Sequence, residues 1–278
     1  MVLNVNINSN FMKPLFEEKE LPINDLQKIG LYNDGKLALG AEDLSALLAG
    51  RRTDLVSIQN LRTEAFHIQQ LDAKLSLQRH PDGSVSLNLH PIYKQAVGHE
   101  LLDKSEVELL TSGKIANVSK QVDLEPVKKK TLIIEYDAQT REFISYDPNG
   151  VEPPEKINGQ QLTPEDKQNY KSGNVVQLED GTRVQHRASE RNGMLSDRQV
   201  LILSVLLDGG ISYLLITGIR NLVANREEQK SQYTKGYEQA LKEMKDSTRA
   251  KDEIKLTQAP DDERKNDYKR GYGRSGSR

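Results

Sequence analysis

Cysteine and tryptophan are absent from the 278 residues, and phenylalanine occurs four times. Without cysteine there is no thiol nucleophile, disulfide scaffold or cysteine-ligated zinc cluster. The scarcity of large aromatics leaves few anchors for a core or an interface. Hydrophobic side chains make up 36%, or about 43% with the 19 glycines added, against roughly 45–50% in ordinary globular chains. A core is expected, and part of the chain must prefer solvent. GxSxG, the P-loop, HExxH and GxGxxG are missing too, so nucleophilic, nucleotide and zinc-hydrolase chemistry have no starting point. The sequence offers no catalytic residue, metal-ligand set or cofactor site, and a non-enzyme is expected. The opening MVLNVNINSN lacks a basic stretch followed by an apolar one, so no secretory signal is read and a cytoplasmic location is expected.

The net charge of −2 hides an asymmetry. Residues 225–278 carry 14 Lys+Arg against 11 Asp+Glu, which leaves 25 against 30 for residues 1–224. The body is acidic and the end is basic. REEQKSQYTKGYEQALKEMKDSTRAKDEI reads as a polar helix projecting from the body, because acids and bases interleave and apolar side chains are few. RKNDYKRGYGRSGSR reads as a disordered basic tail.

Internal similarity is the clearest signal in the body. Segments starting at Leu39, Leu102, Leu162 and Leu195 align, and the first three have Gly50, Gly113 and Gly173 eleven residues on. After each Leu stands Gly40, Asp103, Thr163 or Ser196, followed three residues later by Asp43, Glu106, Asp166 or Gln199. That spacing is a capping box or close to one, and it predicts four short helices leaving through Gly50, Gly113, Gly173 and Gly209. Between them, alternating apolar residues predict hairpins around Asp82-Gly83, from Asp137 to Thr140, and at Asp180-Gly181. At the first, a two-residue turn would pair His80 with Val85 and Leu75 with His90. Residues 148–161, PNGVEPPEKINGQQ, read as a linker or long loop. The expected fold class is α+β, with short capped helices alternating with β-hairpins, an apolar helical hairpin, and a polar helical and disordered tail. The expected divisions are an N-terminal α+β domain over 1–122, a second unit over 123–194, the apolar hairpin over 195–224 and the charged tail over 225–278.

LSALLAGRRTDL (44–55), AKLSLQRHPDGSVSLNLHPI (73–92) and the acidic helix ending in SGK together resemble an uncharacterised domain-of-unknown-function family. EYDAQTREFISYDPN and INGQQLTPEDKQNYKSGNVVQLEDG are similar to a companion repeat family that often shares its chains. The resemblance runs from Leu21 to Leu222. It implies a setting on conjugative transposons and other mobile elements of anaerobic gut bacteria, and it carries over no catalytic residue.

The remaining candidates are weighed one by one. His80, Asp82 and His90 would lie several residues apart along one ribbon, which does not suit a metal site. His67, His99 and His186 have no spacing partner and read as surface or capping residues. Asp137, Thr140 and Asp147 are the residues that turns require. Arg51-Arg52 follow a helix exit, where cations meet the negative end of the dipole, and Lys128-Lys129-Lys130 reads as a solvated loop before a strand. VLILSVLLDGGISYLLITGI (200–219) is long enough to cross a bilayer, yet its capping box and glycines favour a buried helical hairpin with Asp208 at the turn. Leu206, Leu207, Asp208, Tyr213 and Leu214 are its candidate contacts for a protein partner or, as the less favoured reading, a membrane. In the tail, Arg264, Lys265, Lys269, Arg270, Arg274 and Arg278 can neutralise phosphates while Tyr268 and Tyr272 stack on bases, so contact with single-stranded DNA or RNA is one reading, set against a solubilising tail with no ligand. The sequence thus points to an accessory scaffold with an unidentified protein partner, with a membrane-associated conjugation factor as the alternative and an enzyme third.

Overall fold

The computed structural model describes residues 15–62, 67–125, 128–207, 210–222, 229–230 and 234–257. A single 3-10 turn at Glu18–Glu20 and α1 (Ile23–Lys28) precede a small hairpin, β1 (Tyr32–Asn33) with β2 (Lys36–Leu37). Asp34 and Gly35 form its two-residue turn, with φ of 50° and 75°. Both left-handed values belong to the turn type that matches strand twist. Next come α2 (Ala41–Leu48) and an antiparallel meander, β3 (Val56–Arg62), β4 (His67–Arg79) and β5 (Val85–Pro91). The second unit repeats the plan with α3 (Lys104–Thr111), β6 (Asn117–Glu125), β7 (Lys128–Asp137) and β8 (Glu142–Tyr146). The third is led by another small hairpin, β9 (Lys156–Ile157) with β10 (Gln160–Gln161). It continues with α4 (Pro164–Lys171), β11 (Val175–Gln177), β12 (Arg183–His186) and β13 (Met194–Ser196). The chain is α+β, and the helix-plus-meander unit occurs three times.

The first three helices form where expected, but only α3 and α4 have the capping box; α2 starts at Gly40 without a side-chain cap. Asp103 accepts the Glu106 amide at 2.9 Å while Glu106 reaches back to the Asp103 amide, and Thr163 and Asp166 form the same reciprocal pair. Gly50, Gly113 and Gly173 leave their helices at φ of 71°, 69° and 69°.

The fourth unit is a correction. Ser196 starts no helix: it ends β13, and its hydroxyl donates to the Arg183 carbonyl at 2.9 Å and accepts the Arg198 amide at 3.0 Å. The apolar run is β14 (Leu201–Leu207) and β15 (Gly210–Ile216), a β ribbon in a sheet of order β10-β9-β14-β15. A strand buried on both faces reads as a continuous apolar run, the same signal a buried helix gives. Leu201, Leu203 and Val205 enter one core with Tyr170, Val184 and Met194, while Ile202 enters another with Tyr237 and Ala240. Asp208 and Gly209 lie outside the described residues.

Four further expectations are corrected. Residues 148–161 are no linker: Pro148 and Val151 are buried, and β9 pairs with β14 through Leu203↔Ile157. Asn158 and Gly159, at φ of 49° and 78°, supply another tight two-residue turn. At the β4–β5 turn, Gly83 at φ 86° adds a third loop residue, so His80 faces Ser84 and the register moves by one, to Leu75↔Leu89 and Lys74↔His90. The polar helix, α5 (Lys235–Thr257), docks through its first turns, where Tyr237 and Ala240 are buried. The strand β6 runs through the boundary expected at 122/123.

Candidate functional site

The three units meet at a cluster of charged side chains organised by the loop 187–193, which joins β12 to β13. Lys74 lies in β4 between Ala73 and Leu75, whose side chains belong to the core of the first unit. Strand alternation turns Lys74 the other way, toward the second and third units. It is fully buried, and its Nζ donates to Asp137 Oδ2 at 2.8 Å and to the Ser189 carbonyl at 2.7 Å. Asp137 closes β7, and its Oδ1 accepts the Gln139 amide in the turn that follows. That dual use, turn residue and ion-pair partner, anchors one sheet to the next.

Around this pair the other ties fall into place. Arg52, just past the α2 exit, donates to Glu142 at 2.7 Å and to Thr140 at 3.3 Å, and its Nη1 lies 3.6 Å from Asp137. His90 sits between Ser76 Oγ at 2.8 Å and the Glu142 carboxylate at 3.3 Å. Burial alone would push the Glu142 carboxyl up; the His90 hydrogen bond and the Arg52 charge outweigh it and bring it down to about 2. On the second sheet, buried Glu135 accepts the Ser189 amide at 2.7 Å, and Arg187 donates to the carbonyls of Ala116 and Tyr136. Glu190 pairs with Arg220, and Arg191 reaches Asp54 at 3.0 Å and contacts Glu42 and Asp43. One seven-residue loop therefore touches every unit.

A second buried group lies behind it. Arg51 donates through Nε to the Arg191 carbonyl at 2.9 Å, and burial lowers its guanidinium to about 10, which leaves it charged at neutral pH. The His186 ring packs at 5.0 Å from Tyr146 and 5.5 Å from Tyr170. Burial first, then the charges of Arg51 and Arg187, drive His186 down to about 4, so it is neutral at pH 7. Gly173 is held here because a Cβ would lie 2.6 Å from Tyr146 Oη and 2.7 Å from Asn117 Nδ2. Its carbonyl accepts from Asn117 at 2.7 Å and from Gln185 at 2.6 Å. The helix exits of units one and three and the outer strands of unit two converge at this point.

The arrangement can position: among the described residues, the cavity lined by Asp54, Glu190, Arg191, Asn192, Met194, Gly218 and Arg220 holds about 20 Å³, roughly one water. Asp137, Thr140 and Arg52, read from sequence as turn and helix-exit residues, belong to the junction; Asp147 caps a 3-10 turn at Pro148–Gly150. His80 bonds Ser86 and His99 bonds Ser145, while His67 is exposed at a strand end. The described residues contain no group of three or more metal-ligating side chains. Lys74, Glu135, Arg187, Ser189, Glu190 and Arg191 had no motif to announce them; the available signal was a charge flanked on both sides by strand residues, as in Ala73-Lys74-Leu75.

Of the apolar candidates, Leu214 is core, Leu206 is 61% exposed, and the Tyr213 hydroxyl donates to Glu243 at 3.2 Å. The side chains of Leu207 and Asp208 lie outside the described residues, as does the whole basic end, from Arg264 and Lys265 through Arg278. No helix among the described residues is long and apolar enough to cross a membrane. No curated protein and no solved structure matches the chain. Residues 16–101, which run from the start of the first core to the segment before α3, match the model of a protein family of unknown function, DUF4099.

Proposed function

We propose that the protein is a non-enzymatic accessory scaffold of a mobile genetic element, cytoplasmic, whose α+β body serves a protein partner and whose basic end contacts single-stranded DNA or RNA. One observation supports the scaffold reading above others: the buried ionisable groups between the units are engaged with one another and with backbone, Lys74 with Asp137 and Ser189 foremost. Groups tied in this way hold modules in register. The mobile-element setting rests on the resemblance of the first unit to its family, and the nucleic-acid contact rests on the six basic residues and one acid of residues 264–278. The membrane-associated alternative was built on a helical segment over 200–219, and that segment is two strands.

The reading is tested by gel shift with single-stranded DNA and RNA, using the full chain and a chain ending at residue 263. The full chain should bind at low salt and release steeply as salt rises, and the shortened chain should not bind. Equal binding by both would move the contact into the body, and binding by neither would remove nucleic acid from the function. Recovery of the full chain in a carbonate-washed membrane pellet would overturn the soluble scaffold.

A further inference from the structure

The ribbon β14–β15 presents an edge unlike the others. Asn158 N donates to Ile202 O at 2.8 Å and Glu155 N to Ser204 O at 2.7 Å, so the even-numbered residues of β14 face β9. Its odd-numbered residues therefore bond to β15, at Leu201↔Ile216, Leu203↔Leu214 and Val205↔Ser212. By the same alternation the N–H and C=O groups of Ile211, Tyr213 and Leu215 point outward, and none of them has a partner among the described residues.

Among the described residues the other edges are shorter, charged or interrupted: β8 is five residues long and carries Glu142. At β3, Asn60 at φ 54° interrupts the pairing between Gln59 and Leu61; β5 ends in Pro91; and β6 carries Lys120, Asp123 and a bulge. The strands β10, β11 and β13 are two or three residues long. In β15, GISYLLI, there is no charge, no proline and no register break. An uncharged seven-residue edge is what proteins avoid unless something pairs with it.

The helix α5 says what the pairing partner is. Gly236 packs on the Asn158 carbonyl, Tyr237 and Ala240 cover Ile202 and Leu215, and Glu243 bonds the Tyr213 hydroxyl. The helix thus crosses β9, β14 and β15 in turn. Fourteen residues of it, from Met244 to Thr257, then extend about 21 Å further, close to the width of four more strands. On its own sheet it covers the Ile202/Leu215 half of the face and leaves Leu206 and Ile211 at 61% and 48% exposure.

We propose that two copies of the chain join through antiparallel pairing of their β15 edges about a two-fold axis at Tyr213. That axis pairs Ile211 with the partner's Leu215 and Tyr213 with the partner's Tyr213. All three outward-facing residues of each edge then become hydrogen-bonded pairs, giving six N–H···O bonds. An axis at Ser212 or Leu214 would use fewer of them. The same rotation carries the position of Leu215 onto that of Ile211, so the overhanging part of each α5 comes to lie over the uncovered Leu206 and Ile211 of the other copy. Edge, overhang and exposed pair are satisfied by one operation.

The absence of native cysteine gives a direct test on the full chain. Tyr213→Cys should oxidise to a disulfide-linked pair, since Cα atoms across a hydrogen-bonded pair lie about 5.5 Å apart. Ile211→Cys should not, because its two copies would be about 14 Å apart along the strands. Sedimentation of the unaltered chain should give twice 31.3 kDa, and Ile211→Lys, at an exposed position, should return it to 31.3 kDa with its circular dichroism unchanged. An unaltered chain that stays at the single mass as concentration rises overturns the proposal. So does a dimer that persists in Ile211→Lys, or one that cross-links at 211 as readily as at 213.

Discussion

Gly113 and Gly173 share a φ of 69° but differ in surroundings: nothing lies within 4 Å of a Cβ built at Gly113, while Tyr146 and Asn117 block one at Gly173. Gly113→Ala should cost only the left-handed backbone term of about 1–2 kcal/mol. Gly173→Ala adds a clash in a buried polar cluster and should cost clearly more, read as a larger drop in the urea midpoint. Lys74→Met should destabilise by about 3–5 kcal/mol, because it takes away the closer of the two cations on buried Asp137 and leaves only Arg52, 3.6 Å off. Replacing both, Lys74→Met with Asp137→Leu, should recover part of that loss, and a double-mutant cycle in urea measures how much. For His186 the sign follows from its depressed value. The unfolded chain takes up a proton near pH 6.5 and the folded chain only near 4, so the stability contributed is full above 6.5 and is lost as pH falls to 4. His186→Phe should flatten the stability profile in that window. Glu142, held down to about 2 from 4.5, produces its own loss below that window, and His186→Phe should leave it in place.

At the scale of elements, Thr163→Ala removes a side-chain acceptor from the start of α4 and should cost about 0.5–2 kcal/mol. Gly40 stands at the same place before α2, in extended backbone and without a side-chain cap, so Gly40→Ser should be neutral or stabilise by a few tenths of a kcal/mol. Thermal melts of the two variants should move in opposite directions or leave the second unmoved. The starts of α3 and α4 were legible because a capping box is local: four residues settle it. The Asp180-Gly181 turn and the four-residue β7–β8 loop were legible for the same reason. What local pattern could not decide was the state of Leu201–Leu207, where burial on both faces erases the period that separates strand from helix. The small hairpins at Asp34-Gly35 and Asn158-Gly159 carried a strong turn signal, but flanking strands of two residues were too short to show alternation. The charged junction was illegible for a different reason. Lys74 and Asp137 are 63 residues apart, Lys74 and Ser189 are 115 apart, and no local rule links them.

For the molecule as a whole, the loop 187–193 reverses the usual relation between irregular structure and freedom of movement. It has no strand or helix of its own, yet its Ser189 amide donates to Glu135 inside the second unit, its Ser189 carbonyl accepts from Lys74 of the first, and Arg187 and Gly193 bond each other across its base. Releasing those amides to solvent requires separating three units rather than fraying one segment. In deuterium oxide the Ser189 amide should therefore exchange about as slowly as the central strands β4 and β7, and far more slowly than the β4–β5 turn at Pro81–Gly83. Glu135→Gln should leave most protection of β4 in place while speeding Ser189. The slowest-exchanging loop then marks the place where three separately hairpinned modules become a single cooperative body.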